Sequence, residues 1–158
     1  MNENNLPSVV SVDLNKYVGI WYEIAKLPNS FEDDLKCITT NYSLRQDGKI
    51  GVENKGFKDS HPRKLKVNYG KAWIPDPEHP GRLKVEFLWP FSTDYYIIEL
   101  DEKYQYALIG ATSRKYLWII CRNSQMDALI YKRLIAKAKT LGFDISRIKK
   151  TKQDCVPD

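Results

Sequence analysis

From Tyr17 to Arg122 the apolar residues never adopt a helical spacing. They fall into eight short runs, at 18–27, 37–45, 49–57, 65–73, 82–88, 95–101, 105–110 and 116–121, separated by Gly, Pro, Asn and Asp. Side chains on a strand point to opposite faces in turn, so these runs read as β-strands, and their short connections join neighbours antiparallel in sequence order. Gln46-Asp47-Gly48 is a tight hairpin signal, and Pro75-Asp76-Pro77-Glu78-His79-Pro80-Gly81 is a turn that neither strand nor helix can cross. An eight-strand meander closes into a barrel or stacks as a sandwich, and only closure removes the exposed edges.

After Arg122 the period becomes helical. Ile130, Leu134, Ala138 and Leu141 share one face, and Lys132, Arg133, Lys137 and Lys139 lie largely off it. Asn123 or Ser124 can cap the start and Gly142 supplies the stop, which predicts a helix over about 124–141 packed by one stripe against the sheet. Phe143-Asp144-Ile145-Ser146-Arg147-Ile148 alternates again and predicts a short strand. The expected fold is all-β with one C-terminal helix: a single domain over 1–158, its strands at about 17–122 and a tail over 143–158. A chain of 158 residues can bury one substantial core but not two.

The net charge of +5 is local. Residues 1–121 carry sixteen charges of each sign, so the excess lies wholly in residues 122–158. Only Tyr131 and Phe143 interleave with those cations, too few for a nucleic-acid face, so no nucleic-acid partner is expected. The basic stretch is a solvated helix face or a contact for an anionic surface such as a membrane. No run approaches the roughly 20 apolar residues that span a bilayer, and Met1-Asn2-Glu3-Asn4-Asn5 lacks the pattern of a signal peptide.

The string Asn15-Lys16-Tyr17-Val18-Gly19-Ile20-Trp21-Tyr22-Glu23 resembles the first signature of the lipocalin family, whose Gly-x-Trp opens the first strand at the closed end of a barrel. Leu100-Asp101-Glu102-Lys103-Tyr104 is similar to the family's turn between strands six and seven, and Arg122 follows strand eight. Trp21-Tyr22-Glu23-Ile24-Ala25-Lys26, Asn41-Tyr42-Ser43-Leu44 and Asn54-Lys55-Gly56-Phe57 most resemble the branch holding the bacterial outer-membrane lipocalins and apolipoprotein D. The resemblance implies an eight-stranded antiparallel up-and-down β-barrel (lipocalin) with the C-terminal α-helix packed outside. It also implies a structural floor of Gly19, Trp21, Arg122 and Glu23, with Arg122 lying over the indole. By family register Glu99 points inward as well, and one or both carboxylates should pair near Arg122.

With Trp21 and Arg122 inward, strand parity and the family pattern fix the other inward positions. Gly56, Gly70 and Ala72 leave space opposite large side chains, a mixture that suggests a cavity rather than a filled lumen. The expected ligand-binding residues are Trp118, Phe87, Tyr95, Tyr42, Asn54, Val85, Tyr116 and Ile97. Tyr95, read as lying near the open end, could donate to a carboxylate or phosphate, with Asn54 as a second polar group. The resemblance implies a fatty acid or lysophospholipid ligand and a role in cell-envelope lipid maintenance. Trp89-Pro90-Phe91, at the open rim, is a gate, a dimer contact or a membrane-touching tip; a docking role there would make this a structural or interaction protein instead. Homodimers occur in the family.

The resemblance further implies a Cys37–Cys155 disulfide, which leaves Cys121 as a free thiol buried beneath the helix. Closing so long a loop contributes up to about 4–5 kcal/mol in the chain-entropy model. A bridge requires an oxidising compartment, so the chain is read as a mature form of a periplasmic, outer-membrane or secreted protein. Catalysis is not expected. The only histidines, His61 and His79, each precede a proline in a loop without metal-ligand or triad spacing, and neither metal nor cofactor is implied.

Overall fold

The computed structural model describes residues 6–29, 35–58, 64–88 and 91–155. A one-turn helix α1 (Leu14–Tyr17), capped by the Asp13 carboxylate on the Asn15 amide, leads into eight barrel strands. These are β1 (Gly19–Lys26), β2 (Leu35–Leu44), β3 (Ile50–Lys58), β4 (Lys64–Trp73), β5 (Arg82–Leu88), β6 (Phe91–Leu100), β7 (Tyr106–Gly110) and β8 (Leu117–Cys121). Each pairs antiparallel with its neighbour in sequence, and β1 pairs with both β2 and β8, so the sheet closes on itself as an up-and-down barrel.

Closure separates two cores. Inside lie Tyr17, Trp21, Tyr42, Val52, Leu83, Val85, Ile97 and Ile109. Outside, Ile24, Leu108, Ile119 and Cys121 meet Leu134 and Ala138 of helix α2 (Ala128–Thr140) and Phe143. The helix therefore buries its predicted stripe, but it begins later than expected. Asp127 is the N-cap: its carboxylate accepts from the Leu129 and Ile130 amides and satisfies two free donors that neither Asn123 nor Ser124 reaches. The strand expected over 143–148 is instead a 3-10 turn at Ile145–Arg147, capped by Asp144, before a two-residue strand β9 (Lys149–Lys150) on β1.

Of the register shifts in the barrel, those on β1 and β6 change which of the expected residues face inward. On β1 the shift lies between Glu23 and Ala25, so Ile24 and Ala25 both face outward and Lys26, opposite Trp118, turns inward. On β6 it lies between Ile97 and Glu99, so Ile98 and Glu99 both face outward. A bulge adds one residue and reverses parity beyond it.

The candidate ligand cavity and its floor

The floor is assembled around Trp21, which is fully buried and donates its indole N–H to the Tyr17 carbonyl at 2.8 Å. The Arg122 guanidinium lies 3.9 Å from the indole centroid and donates to the carbonyls of Lys16, Tyr17, Val18, Ile20 and Tyr104. Gly19 sits at φ +106°, and a Cβ there would stand 3.2 Å from Arg122 Nη1, so both conformation and space call for glycine. Arg122 thus spends its donors on backbone, not on a carboxylate as expected.

Above the indole three phenols converge. The Tyr95 hydroxyl is 2.5 Å from that of Tyr17 and 2.6 Å from that of Tyr42. Burial pushes the Tyr17 and Tyr95 hydroxyls well above the usual phenol range, so these two stay neutral. Tyr95 therefore does not offer its hydroxyl at the open end. That oxygen is fastened to the floor by Tyr17, a residue 78 positions away.

Over this platform the barrel holds a cavity of about 40 Å³, within a wider space of about 580 Å³ that takes in open solvent. The cavity is consequently narrow. Of the residues expected to bind ligand, Trp118, Phe87, Tyr95, Tyr42, Asn54 and Val85 line it. Tyr116 is not among the lining residues but stacks on Trp118, 5.8 Å between ring centroids and 12° from parallel. Ile97 is fully buried in the inner core and does not reach the space either. The lining also includes Val52, Ile109, Ile120, Thr40, Thr93 and Glu23. Thr93 escapes a strand reading that begins at Tyr95; β6 starts at Phe91, and counting back two residues from Tyr95 finds it.

The two carboxylates take different environments from those expected. Glu23 does face inward, but it accepts from the Thr151 hydroxyl and lies 3.9 Å from Lys26, away from Arg122. Glu99 faces outward because of the β6 bulge. It accepts from Arg133 at 2.9 and 2.6 Å and from Lys137 at 2.9 Å, joining barrel to helix. These hydrogen bonds, Arg133 foremost, hold its carboxyl below the usual glutamate range.

Cys37 and Cys155 form a disulfide, and Cys121 is free and buried against the helix. Among the described residues the bridge and Asp154 make the one grouping of metal-ligand type, and its sulfurs are bonded to each other. His79 pairs with Asp76 at 2.9 Å in an exposed loop and is not among the cavity-lining residues. His61 and the rim residues Trp89 and Pro90 lie outside the described residues, as does the side chain of Phe91.

Residues 12–153 match the lipocalin-like domain family. The chain is a lipocalin. It is 38% identical over 141 residues to the outer membrane lipoprotein Blc of Vibrio cholerae, an alignment covering 89% of this chain and 82% of the relative. It is 37% identical to temperature-induced lipocalin-1 of Arabidopsis thaliana, covering 94% and 83%, and 31% identical to apolipoprotein D of Macaca fascicularis, covering 96% and 82%. Among solved structures the lipocalin barrel is shared with insecticyanin of the tobacco hornworm Manduca sexta, at TM-score 0.72 and 20% identity over 93% of this chain and 84% of that one. Lipocalins bind small hydrophobic ligands, generally as carriers. No helix among the described residues of this lipocalin is long and apolar enough to cross a membrane.

Proposed function

We propose that this lipocalin binds and stores or carries a slender amphiphile, a fatty acid or lysophospholipid, with the acyl chain inside the barrel. The observation that carries this reading is the cavity's shape and lining together: narrow, walled by Val52, Val85, Phe87, Ile109, Trp118 and Ile120, and sealed below by Tyr17, Tyr42 and Tyr95. An apolar chain gains about 0.8 kcal/mol per buried methylene, so ten methylenes supply about 8 kcal/mol, enough for roughly micromolar affinity. With the phenols engaged at the floor, the head group belongs toward the mouth, where Asn54, joined to Thr40 at 2.5 Å, and Thr93 are the polar side chains at hand. The likeness to bacterial outer-membrane lipoproteins and the disulfide support a role in cell-envelope lipid maintenance, in the periplasm, at the outer membrane or in the secreted space.

Native mass spectrometry of the purified protein and titration with a fluorescent fatty acid test the reading together. Retained lipid, or saturable binding displaced by lysophospholipid, is the expected result. Neither retained lipid nor saturable binding would sink it, and preference for a broad polycyclic ligand over an acyl chain would replace it.

A further inference from the structure

The barrel wall has a seam. Pairing between β1 and β2 stops at Tyr22 opposite Thr39, and the next residues of the two strands do not pair with each other. The C-terminal strap, residues 149–155, fills that place. β9 pairs with Ala25 and Lys26; the Thr151 amide donates to the Ile24 carbonyl at 2.9 Å, and the Cys37 amide donates to the Lys152 carbonyl at 2.7 Å. The Gln153 side-chain amide donates to Glu23 O at 2.8 Å and to Ile38 O at 2.9 Å, stitching the two strands through one group. The Thr151 hydroxyl bonds the carboxylate of Glu23, a cavity-lining residue, so the strap is the outer support of that stretch of wall. Its far end is tied to β2 by the Cys37–Cys155 bridge.

We infer that the strap is a detachable section of the cavity wall, that Thr151 and Gln153 are its positioning residues, and that the state of the Cys37–Cys155 bridge sets how long a ligand is retained. Short contacts of this kind hold a segment only while its end is pinned; the bridge keeps the free end near its partners, and cutting it returns the strap's conformational freedom. The step is thiol–disulfide exchange with a dithiol reductant. A reductant thiolate attacks Cys155 Sγ, the less buried sulfur, and Cys37 leaves as a thiolate. The reductant's second thiol then displaces Cys155, leaving two protein thiols and an oxidised dithiol. Loss of the strap opens a slot at the depth of Glu23, a lateral exit distinct from the mouth.

The inference rests on the proposed ligand reading, and the experiment separates the two. Hydrogen–deuterium exchange on the full chain, oxidised and after treatment with dithiothreitol, is expected to expose the Thr151 and Cys37 amides while those of the β1–β2 ladder at Ile20–Tyr22 stay protected. Protein loaded with an anthroyloxy fatty acid should then release it to acceptor vesicles about tenfold faster when reduced. Cys155→Ser should do so without reductant, and Thr151→Ala with Gln153→Ala should give a smaller acceleration with the bridge intact. An exchange pattern unchanged on reduction, or global unfolding of the reduced barrel, overturns the inference, as does an opened seam with unaltered release. If the oxidised protein fails to bind the probe, the ligand reading falls, and the exchange result alone decides whether the wall detaches.

Discussion

Arg122 meets Trp21 face to cation at 3.9 Å, and its guanidinium also gathers five backbone carbonyls, four from Lys16, Tyr17, Val18 and Ile20 and one from Tyr104. One side chain thus joins the end of the last barrel strand to the start of the first. Replacing it with Ala removes a cation–π contact and several charged hydrogen bonds, and we expect a loss of roughly 2–4 kcal/mol in urea unfolding. Arg122→Lys keeps the charge but not the planar fork, and should recover only part of the loss.

Tyr95→Phe separates the floor from the ligand reading. The substitution removes the oxygen shared by Tyr17 and Tyr42 while leaving the ring in place, so stability should drop by about 1–2 kcal/mol. Head-group preference, measured as the ratio of fatty acid to lysophospholipid affinity, should stay the same. A changed ratio would return Tyr95 to the head-group site.

Trp118→Ala removes the largest apolar side chain of the cavity lining. Affinity for an acyl ligand should fall about tenfold or more, read by fluorescence titration with the fold checked by circular dichroism. Tyr116→Ala, which acts only through the stacked Trp118, should lower it less.

Acid should loosen the helix before it opens the barrel. Glu99 titrates below its unfolded value because Arg133 and then Lys137 favour its charged form in the fold. Its contribution is therefore present above the ordinary carboxylate range, about pH 4.3 for glutamate, and is lost as pH falls through the lower folded value. In Glu99→Gln the acid limb of a stability-versus-pH curve should be shallower, while the neutral-pH cavity affinity should be unchanged.

Cys121 is 7% exposed among apolar side chains of the outer core. Iodoacetamide should leave it unmodified in the native protein and alkylate it in denaturant. Rapid native labelling would show instead that the thiol is accessible and reactive.

The barrel was legible because alternation is a local property. Trp21, Val52, Val85 and Ile120 each sit where counting by twos places them, and the strap disulfide followed from a likeness in the flanking strings. What failed was non-local or depended on a single inserted residue. Glu99 was misplaced because the bulge beside it carries no Gly or Pro to mark it. The Tyr95 oxygen was misplaced because its partner arrives from the far end of the chain. The helix start moved because three capping residues compete within five positions, and only the geometry of the packed helix selects Asp127.

The order of strands also bears on how the molecule comes to exist. β1 finds one flank in β8 and the rest of the other in residues 149–153, all more than 90 positions downstream. During synthesis the first strand must therefore wait with a bare hydrogen-bonding edge until residues 149–153 have emerged. The inward-turned Lys26 and the glycine at 19 help there, since a strand that begins and ends on such residues is a poor template for pairing with another chain.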